Sequence, residues 1–205
     1  EGKMEKIYSG KTKDLFMMED GKILFKFKDD ITGTEGTADP GGNEVVGSIK
    51  GLAEKNLAVT KYFFELMGKN DIPTHFVSAD LKERTMIVKK AKFFGHGLEV
   101  ITRYKAVGSF VRRYGLYVED GSDLDAYVEI TLKDDERKDP LITKDGLLVL
   151  NILKDGEYEE IMDLNSRCTA IIKKELEINN LNLYDIKLEF GRVDEKIVLI
   201  DEIPG

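Results

Sequence analysis

Short apolar runs over Lys6–Ser9, Asp14–Met18 and Ile23–Lys28 predict three strands, with Gly10 and the hairpin signal Asp20-Gly21 at the turns. From Ile31 to Gly51 the pattern breaks down. Six glycines (Gly33, Gly36, Gly41, Gly42, Gly47 and Gly51) with Pro40 resist any period and predict a long loop. Leu52, Val59, Phe63, Leu66 and Met67 then recur at helical spacing, so a helix is expected from about Leu52 to Gly68, ending before Asp71-Ile72-Pro73. Strands are expected at Thr74–Ser78, Arg84–Lys90, Leu98–Tyr104 and Tyr127–Leu132, with a short glycine-stopped helix over Gly108–Gly115. Ile161, Leu164, Cys168, Ile171, Ile172 and Leu176 mark a second long helix. The chain closes on two apolar strands within Asp185–Glu202, joined by a polar turn at Arg192–Lys196. Grouped strands with few interposed helices favour an α+β fold over a doubly wound parallel sheet. A boundary is expected in Lys90–Leu98, giving a lobe of residues 1–90 and a second domain of residues 91–205.

Composition narrows the function classes. With 205 residues, 41% hydrophobic and 34% charged, the chain suits one or two small domains with an adequate core. A net charge of −8 argues against general nucleic-acid binding, so an anionic substrate needs a local basic pocket. The single cysteine, Cys168, lies on the apolar stripe of a predicted helix and reads as core; it excludes an internal disulfide. With only His75 and His96 besides, a zinc site is not expected. No apolar run approaches the length of a membrane span, and a cytoplasmic location is the expectation. Glu1-Gly2-Lys3 ahead of Met4 reads as a remnant of recombinant expression.

Four groups of residues carry candidate chemistry. Glu189 and Asp201 sit on the two closing strands, where a carboxylate on a packed face is costly unless a positive charge neutralises it. Two such groups suit Mg²⁺, which takes one or two protein carboxylates plus substrate phosphates; the alternative is a pair of rim carboxylates. Gly10-Lys11-Thr12-Lys13 joins two strands, so its amides can approach a polyphosphate while Lys11 and Lys13 point to one side; the alternative is a basic surface turn. Arg103, Lys105, Ser109, Arg112 and Arg113 concentrate positive charge at a strand-to-helix junction, where Ser109 and Arg103 can hold a phosphate. Arg112 and Arg113 are expected on a solvated face, outside the site. Lys133–Pro140 reads as a charged turn in which Asp139 could meet a substrate amine.

Taken in order, YSGKTKDLF (Tyr8–Phe16), EVITRYKAVGSFVRRYG (Glu99–Gly115), KDDERKDP (Lys133–Pro140), DIKLEFG (Asp185–Gly191) and VLIDE (Val198–Glu202) resemble the phosphoribosylaminoimidazole-succinocarboxamide synthase (SAICAR synthetase) family. The resemblance implies a two-lobed α+β fold with antiparallel sheets and an ATP cleft between lobes. It also implies an ATP-driven ligation in purine biosynthesis, in which the carboxylate of carboxyaminoimidazole ribonucleotide is activated as an acyl phosphate and the amine of L-aspartate displaces phosphate. By resemblance, Gly10, Lys11, Lys13 and Lys89 bind nucleotide, and Arg103 and Ser109 bind the ribonucleotide phosphate. Asp185 and Lys187 line the reacting region, Lys187 stabilising developing negative charge, and Glu189 and Asp201 hold Mg²⁺. The implied partners are small molecules, with neither nucleic acid nor membrane, and a homodimer.

Three departures from the family pattern stand out. Arg103-Tyr104 replaces the usual Arg-Asn, the glycine-rich stretch after Asp29 has unusual spacing, and the family continues past Gly205 through an arginine-bearing segment and a final helix. The competing expectations are an ATP-binding module without ligase turnover and a small-molecule kinase.

Overall fold

A computed structural model of the chain describes residues 4–34, 36–38 and 44–203. The expectations for Glu1–Lys3 and for Pro40, Gly41 and Gly42 lie outside them. The chain divides into two compact units, one running to Lys92 and taking in the segment from Glu202, the other spanning Phe93–Asp201.

In the first unit, β1 (Glu5–Ser9), β2 (Lys13–Met17), β3 (Ile23–Phe27), β7 (Phe76–Asp80) and β8 (Thr85–Val88) form an antiparallel sheet in the order β1-β2-β3-β8-β7. Helix α1 (Leu52–Lys69) packs on β3 and β7. Ala53, Leu57, Thr60, Phe64 and Met67 recur three or four residues apart, so their side chains share the buried stripe. Ile23, Phe25, Met86 and Val88, at alternate positions of β3 and β8, are buried in the same unit. Gly51 supplies no side-chain cap, and the Asp29 carboxylate accepts the Ala53 N–H at 2.9 Å instead. The returning segment docks through Thr60 Oγ1, which donates to the Ile203 carbonyl at 3.0 Å.

The tract expected to be a loop contains β4 (Asp30–Thr34), β5 (Thr37–Ala38) and β6 (Glu44–Ser48), a three-stranded antiparallel sheet. Here glycine permits pairing instead of breaking it. A Cβ on Gly33 would lie 2.2 Å from the Thr37 carbonyl oxygen and 2.7 Å from both Val46 methyls, so only glycine lets the strands close up.

A two-residue strand β9 (Lys92–Phe93) precedes the second sheet, in which β10 (Leu98–Lys105), β11 (Asp123–Leu132), β12 (Asp185–Val193) and β13 (Lys196–Ile200) pair antiparallel in the order β11-β10-β12-β13. The β12–β13 turn is tighter than expected, with Asp194 and Glu195 at φ 50° and 61° making a two-residue hairpin. Helix α4 (Glu157–Ile178) covers one face of this sheet with Ile161, Leu164, Cys168 and Ile172. Cys168 is fully buried, and burial pushes its thiol up to about 12, so it behaves as core. Short helices α2 (Ser109–Tyr114) and α3 (Lys144–Val149) complete the unit; α3 had no apolar period to predict it and starts on a Thr143 cap. Among the described residues no helix is long and apolar enough to cross a membrane.

Candidate active site

The period of two along a strand decides what the second sheet offers. Ile186, Leu188 and Phe190 of β12 are buried, and Asp185, Lys187 and Glu189 therefore occupy the other side. Register carries that side across the sheet: Arg103, Ile101 and Glu99 of β10 lie opposite Asp185, Lys187 and Glu189, and opposite Tyr127, Glu129 and Thr131 of β11. One face thus presents acidic and basic groups at adjacent positions of three strands.

Each charge on that face has a counter-charge. Arg103 donates from Nε and Nη2 to Glu129 at 3.0 and 2.8 Å, from Nη1 to Asp185 at 3.0 Å and from Nη2 to Ser109 Oγ at 2.7 Å. Lys187 Nζ lies 2.7 Å from Glu99, whose other oxygen accepts from Thr131 Oγ1 at 3.0 Å. Lys133 Nζ lies 2.7 Å from Glu189. The pairs are lopsided: the side chains of Arg103, Glu129, Glu99 and Glu189 are 3%, 3%, 6% and 10% exposed, whereas those of Asp185, Lys187 and Lys133 are 43%, 48% and 48% exposed.

Glu189 is the perturbed group. Burial, then the nearby charge of Asp201 and more weakly that of Glu99, push its carboxyl up to about 7 against the opposing pull of Lys133. Asp201 follows the last residue of β13 at φ 65°, a left-handed conformation it shares with turn residues such as Asp194 and Glu195. A buried carboxylate whose proton affinity is raised by a second one nearby forms with it an oxygen-only donor pair that fits a hard divalent cation. Among the described residues no group of three or more His, Cys, Asp or Glu side chains could hold a metal, so the remaining ligands would have to come from substrate or solvent.

In the first unit, the Gly10 N–H donates to the Lys13 carbonyl at 2.9 Å and closes the turn between β1 and β2. A Cβ at Gly10 would sit 2.8 Å from the ring of exposed Tyr8 and 3.1 Å from the Lys13 carbonyl oxygen, so a larger residue there would displace the Tyr8 side chain. Lys11 lies in the turn itself, where strand alternation does not govern its direction; Lys13 begins β2 and pairs with Glu202 at 3.0 Å. Lys28 braces the turn by donating to the Gly10 carbonyl at 2.8 Å and pairing with Asp14 at 2.9 Å. Partial burial works to raise the Asp14 carboxyl, but Lys6, Ser9 and Lys28 hold it well below the usual carboxylate range. Lys89 is exposed just past β8, its N–H donating to the His75 carbonyl at 2.7 Å. His75 itself is buried between Phe25 and Phe64 and serves the core.

The second unit therefore brings together Arg103, Ser109, Asp185, Lys187, Glu189 and Asp201, while Gly10, Lys11, Lys13 and Lys89 belong to the first. Sequence reasoning passed over Glu99, Glu129 and Lys133, whose signal was parity with Arg103 and Glu189 along known strands. It also set Arg113 on a solvated face, whereas Arg113 Nη2 donates to both oxygens of Glu129 at 2.5 and 2.6 Å. Asp139 accepts the Asp134 N–H at 2.8 Å and so helps hold its own turn.

The sequence model of the SAICAR synthetase family matches residues 6–205. The phosphoribosylaminoimidazole-succinocarboxamide synthase of Clostridium tetani (strain Massachusetts / E88) is 55% identical over 204 residues, covering 98% of this chain and 90% of that protein. The crystal structure of the Ehrlichia chaffeensis synthase superposes with a TM-score of 0.85 at 28% identity, covering 97% of this chain and 81% of that one. A SAICAR synthetase (Type-2) solved in complex with ADP gives a TM-score of 0.84 at 30% identity, covering 98% and 80% of the two chains. A match of this extent, on a chain whose sheet face carries the family's charged motifs in register, shows that it belongs to the SAICAR synthetase family.

Proposed function

We propose that this chain joins L-aspartate to the carboxylate of carboxyaminoimidazole ribonucleotide, consuming ATP and giving SAICAR, ADP and phosphate in de novo purine biosynthesis. The observation that carries the reading is the charged face of the β10–β12 strands, read together with family membership. Carboxylate activation brings a nucleophilic oxygen to the γ-phosphorus, forming an O–P bond as the bond to ADP breaks. The aspartate ammonium gives up one proton to become the attacking amine, its nitrogen adds to the activated carbonyl carbon, phosphate departs, and a second proton leaves to give the amide N–H. Negative charge accumulates around the transferring group, so positioned cations supply most of the acceleration.

Lys187 is assigned to that charge: it is half exposed and oriented by buried Glu99 at 2.7 Å. Asp185 beside it is assigned to the reacting region, while Arg103 and Ser109 take the ribonucleotide phosphate. Gly10, Lys11 and Lys13 are assigned to the phosphates of ATP and Lys89 to the nucleotide pocket. Glu189 and Asp201 would hold Mg²⁺, which when bound offsets phosphoryl charge. The reaction draws on ATP and L-aspartate, which points to the cytoplasm, and family likeness supports a homodimer.

Phosphate release from ATP and Mg²⁺, with aspartate and the ribonucleotide omitted in turn, tests the reading. Release that requires both substrates is expected. Release without aspartate would instead identify a kinase, and nucleotide binding without turnover would identify a binding module.

A further inference from the structure

Arg103 and Arg113 converge on one carboxylate, and their exposure divides the work between them. The Arg103 side chain is 3% exposed and spends four N–H contacts on Glu129, Ser109 and Asp185. A guanidinium has five N–H groups, so Arg103 has one left for the phosphate assigned to it, and a neighbouring donor is needed to complete the site. Arg113 is 33% exposed and turns a single nitrogen to Glu129, at 2.5 and 2.6 Å from its two oxygens.

Local sequence explains the placement. Ser109 and Arg113 are four residues apart on α2 and share a face, so one bonds Arg103 and the other reaches Glu129. Aromatic rings confine both guanidiniums: Arg103 lies 5.8 Å from the Phe110 centroid and Arg113 5.3 Å from that of Tyr114, with the two rings 4.8 Å apart. Two guanidiniums thus share the buried Glu129 carboxylate, Asp185 balances the second charge from the side of Arg103, and Arg113 is the guanidinium that reaches solvent. A fork held in advance by an ion pair and a ring loses little freedom when it takes a phosphate oxygen.

We propose that Arg113 contacts the phosphate monoester of the ribonucleotide substrate, and that Glu129 is the positioning residue that sets Arg113 beside Arg103. The identity of the phosphate rests on the ligation reading; the anion site does not.

Two measurements separate the claims. In steady-state turnover, Arg113→Ala is expected to raise the ribonucleotide KM about tenfold or more, with kcat within about twofold and the KM values for ATP and aspartate unchanged; Arg113→Lys recovers part of the loss. By calorimetry, ribose 5-phosphate is expected to bind the wild type and to weaken by a similar factor in Arg113→Ala. Glu129→Gln should raise the same KM, and adding Arg113→Ala to it should cost less than in the wild-type background. Turnover with an unchanged ribonucleotide KM, or an ATP KM that rises instead, overturns the inference and leaves the ligation reading intact. Ribose 5-phosphate binding that depends on Arg113, in a protein without aspartate-dependent turnover, overturns the ligation reading and upholds the anion site. Should Glu129→Gln fail to fold, the two Arg113 variants decide alone.

Discussion

Replacing Glu189 by glutamine tests the electrostatics of the site without substrate. In the folded chain burial and Asp201 lift the Glu189 carboxyl from the ordinary 4.5 to about 7, whereas the unfolded chain restores the ordinary value. Between those values the native state binds the extra proton, so unfolding releases it and stability falls as pH rises. At about 1.36 kcal/mol per unit of pKa, the two titrations integrate to a loss of about 2.5 kcal/mol between pH 5 and pH 8. The side chain is only 10% exposed, so solvent screening removes little of this.

Glutamine does not titrate, so the variant lacks that slope. The difference in unfolding free energy between variant and wild type should move in the variant's favour by about 2 to 3 kcal/mol from pH 5 to pH 8, read from urea midpoints at constant m. Lys133 loses its contact with Glu189 in the variant at little cost, because its side chain is half exposed and stays hydrated. Mg²⁺ with nucleotide should raise wild-type stability at pH 8 and leave the variant nearly unmoved, since the cation would bind the Glu189 carboxylate that has lost its proton by that pH. Parallel stability profiles for the two proteins from pH 5 to pH 8 would refute the argument.

Three further perturbations probe other parts of the molecule. Asp201→Asn should weaken Mg²⁺-dependent nucleotide binding by about tenfold, and an unchanged magnesium titration would remove the metal role. Arg192→Ala strips Glu157 of contacts at 2.7 and 2.5 Å and uncovers Phe94, 4.3 Å below the guanidinium; a loss of about 2 to 3 kcal/mol at neutral pH is expected in urea unfolding. Burial works to raise the Glu157 carboxyl but Arg192 holds it low, so that stabilisation is present above the ordinary Glu value and the gap should narrow towards pH 4; a constant gap argues against the pairing. Gly33→Ala places a Cβ 2.2 Å from the Thr37 carbonyl oxygen and should abolish amide-exchange protection in β4 and β6, while native-like protection there would contradict the packing.

The sequence was most legible where one face of an element meets a core. The stripe from Ile161 to Ile172 repeats at helical spacing, and the strands from Leu98 and Asp185 stand out by their apolar content. In α1 the helix was legible but its buried face was not, since of the five expected positions only Phe63 and Met67 are buried, Val59 is exposed, and Ala53, Leu57, Thr60 and Phe64 complete the stripe. The tract from Ile31 to Gly51 was misread because glycine density signals a loop unless one knows which strand passes close by, and the approach of Thr37 and Val46 to Gly33 is a pairwise fact. Helix α3 escaped for a related reason, since six residues with one buried leucine carry no period. Among the charged groups, Arg103, Asp185 and Lys187 were legible through motifs. Glu99 and Glu129 were not, because a glutamate on a strand reads as solvent-facing until register sets it against an arginine or lysine.

That difference in legibility follows a difference in role. In three of the ion pairs the buried partner, Glu99, Glu129 or Arg103, is fixed by neighbours on both sides, and the exposed partner, Lys187, Arg113 or Asp185, is the one a substrate can reach. Truncating a buried anchor strands a charge and costs both stability and geometry, whereas truncating an exposed partner leaves a hydrated gap. On the proposed assignment, substrate binding would exchange protein ion pairs for substrate ones at the exposed members, while the buried members, Arg103 included, act from fixed positions. Glu189 breaks the pattern, being buried yet assigned to the metal, and it is also the carboxyl displaced furthest upward. A carboxylate held close to Asp201 in a dry setting is unfavourable by itself and favourable beside a cation. Under the proposed metal assignment, the raised proton affinity of Glu189 is the unfavourable charge that binding of the cation would relieve.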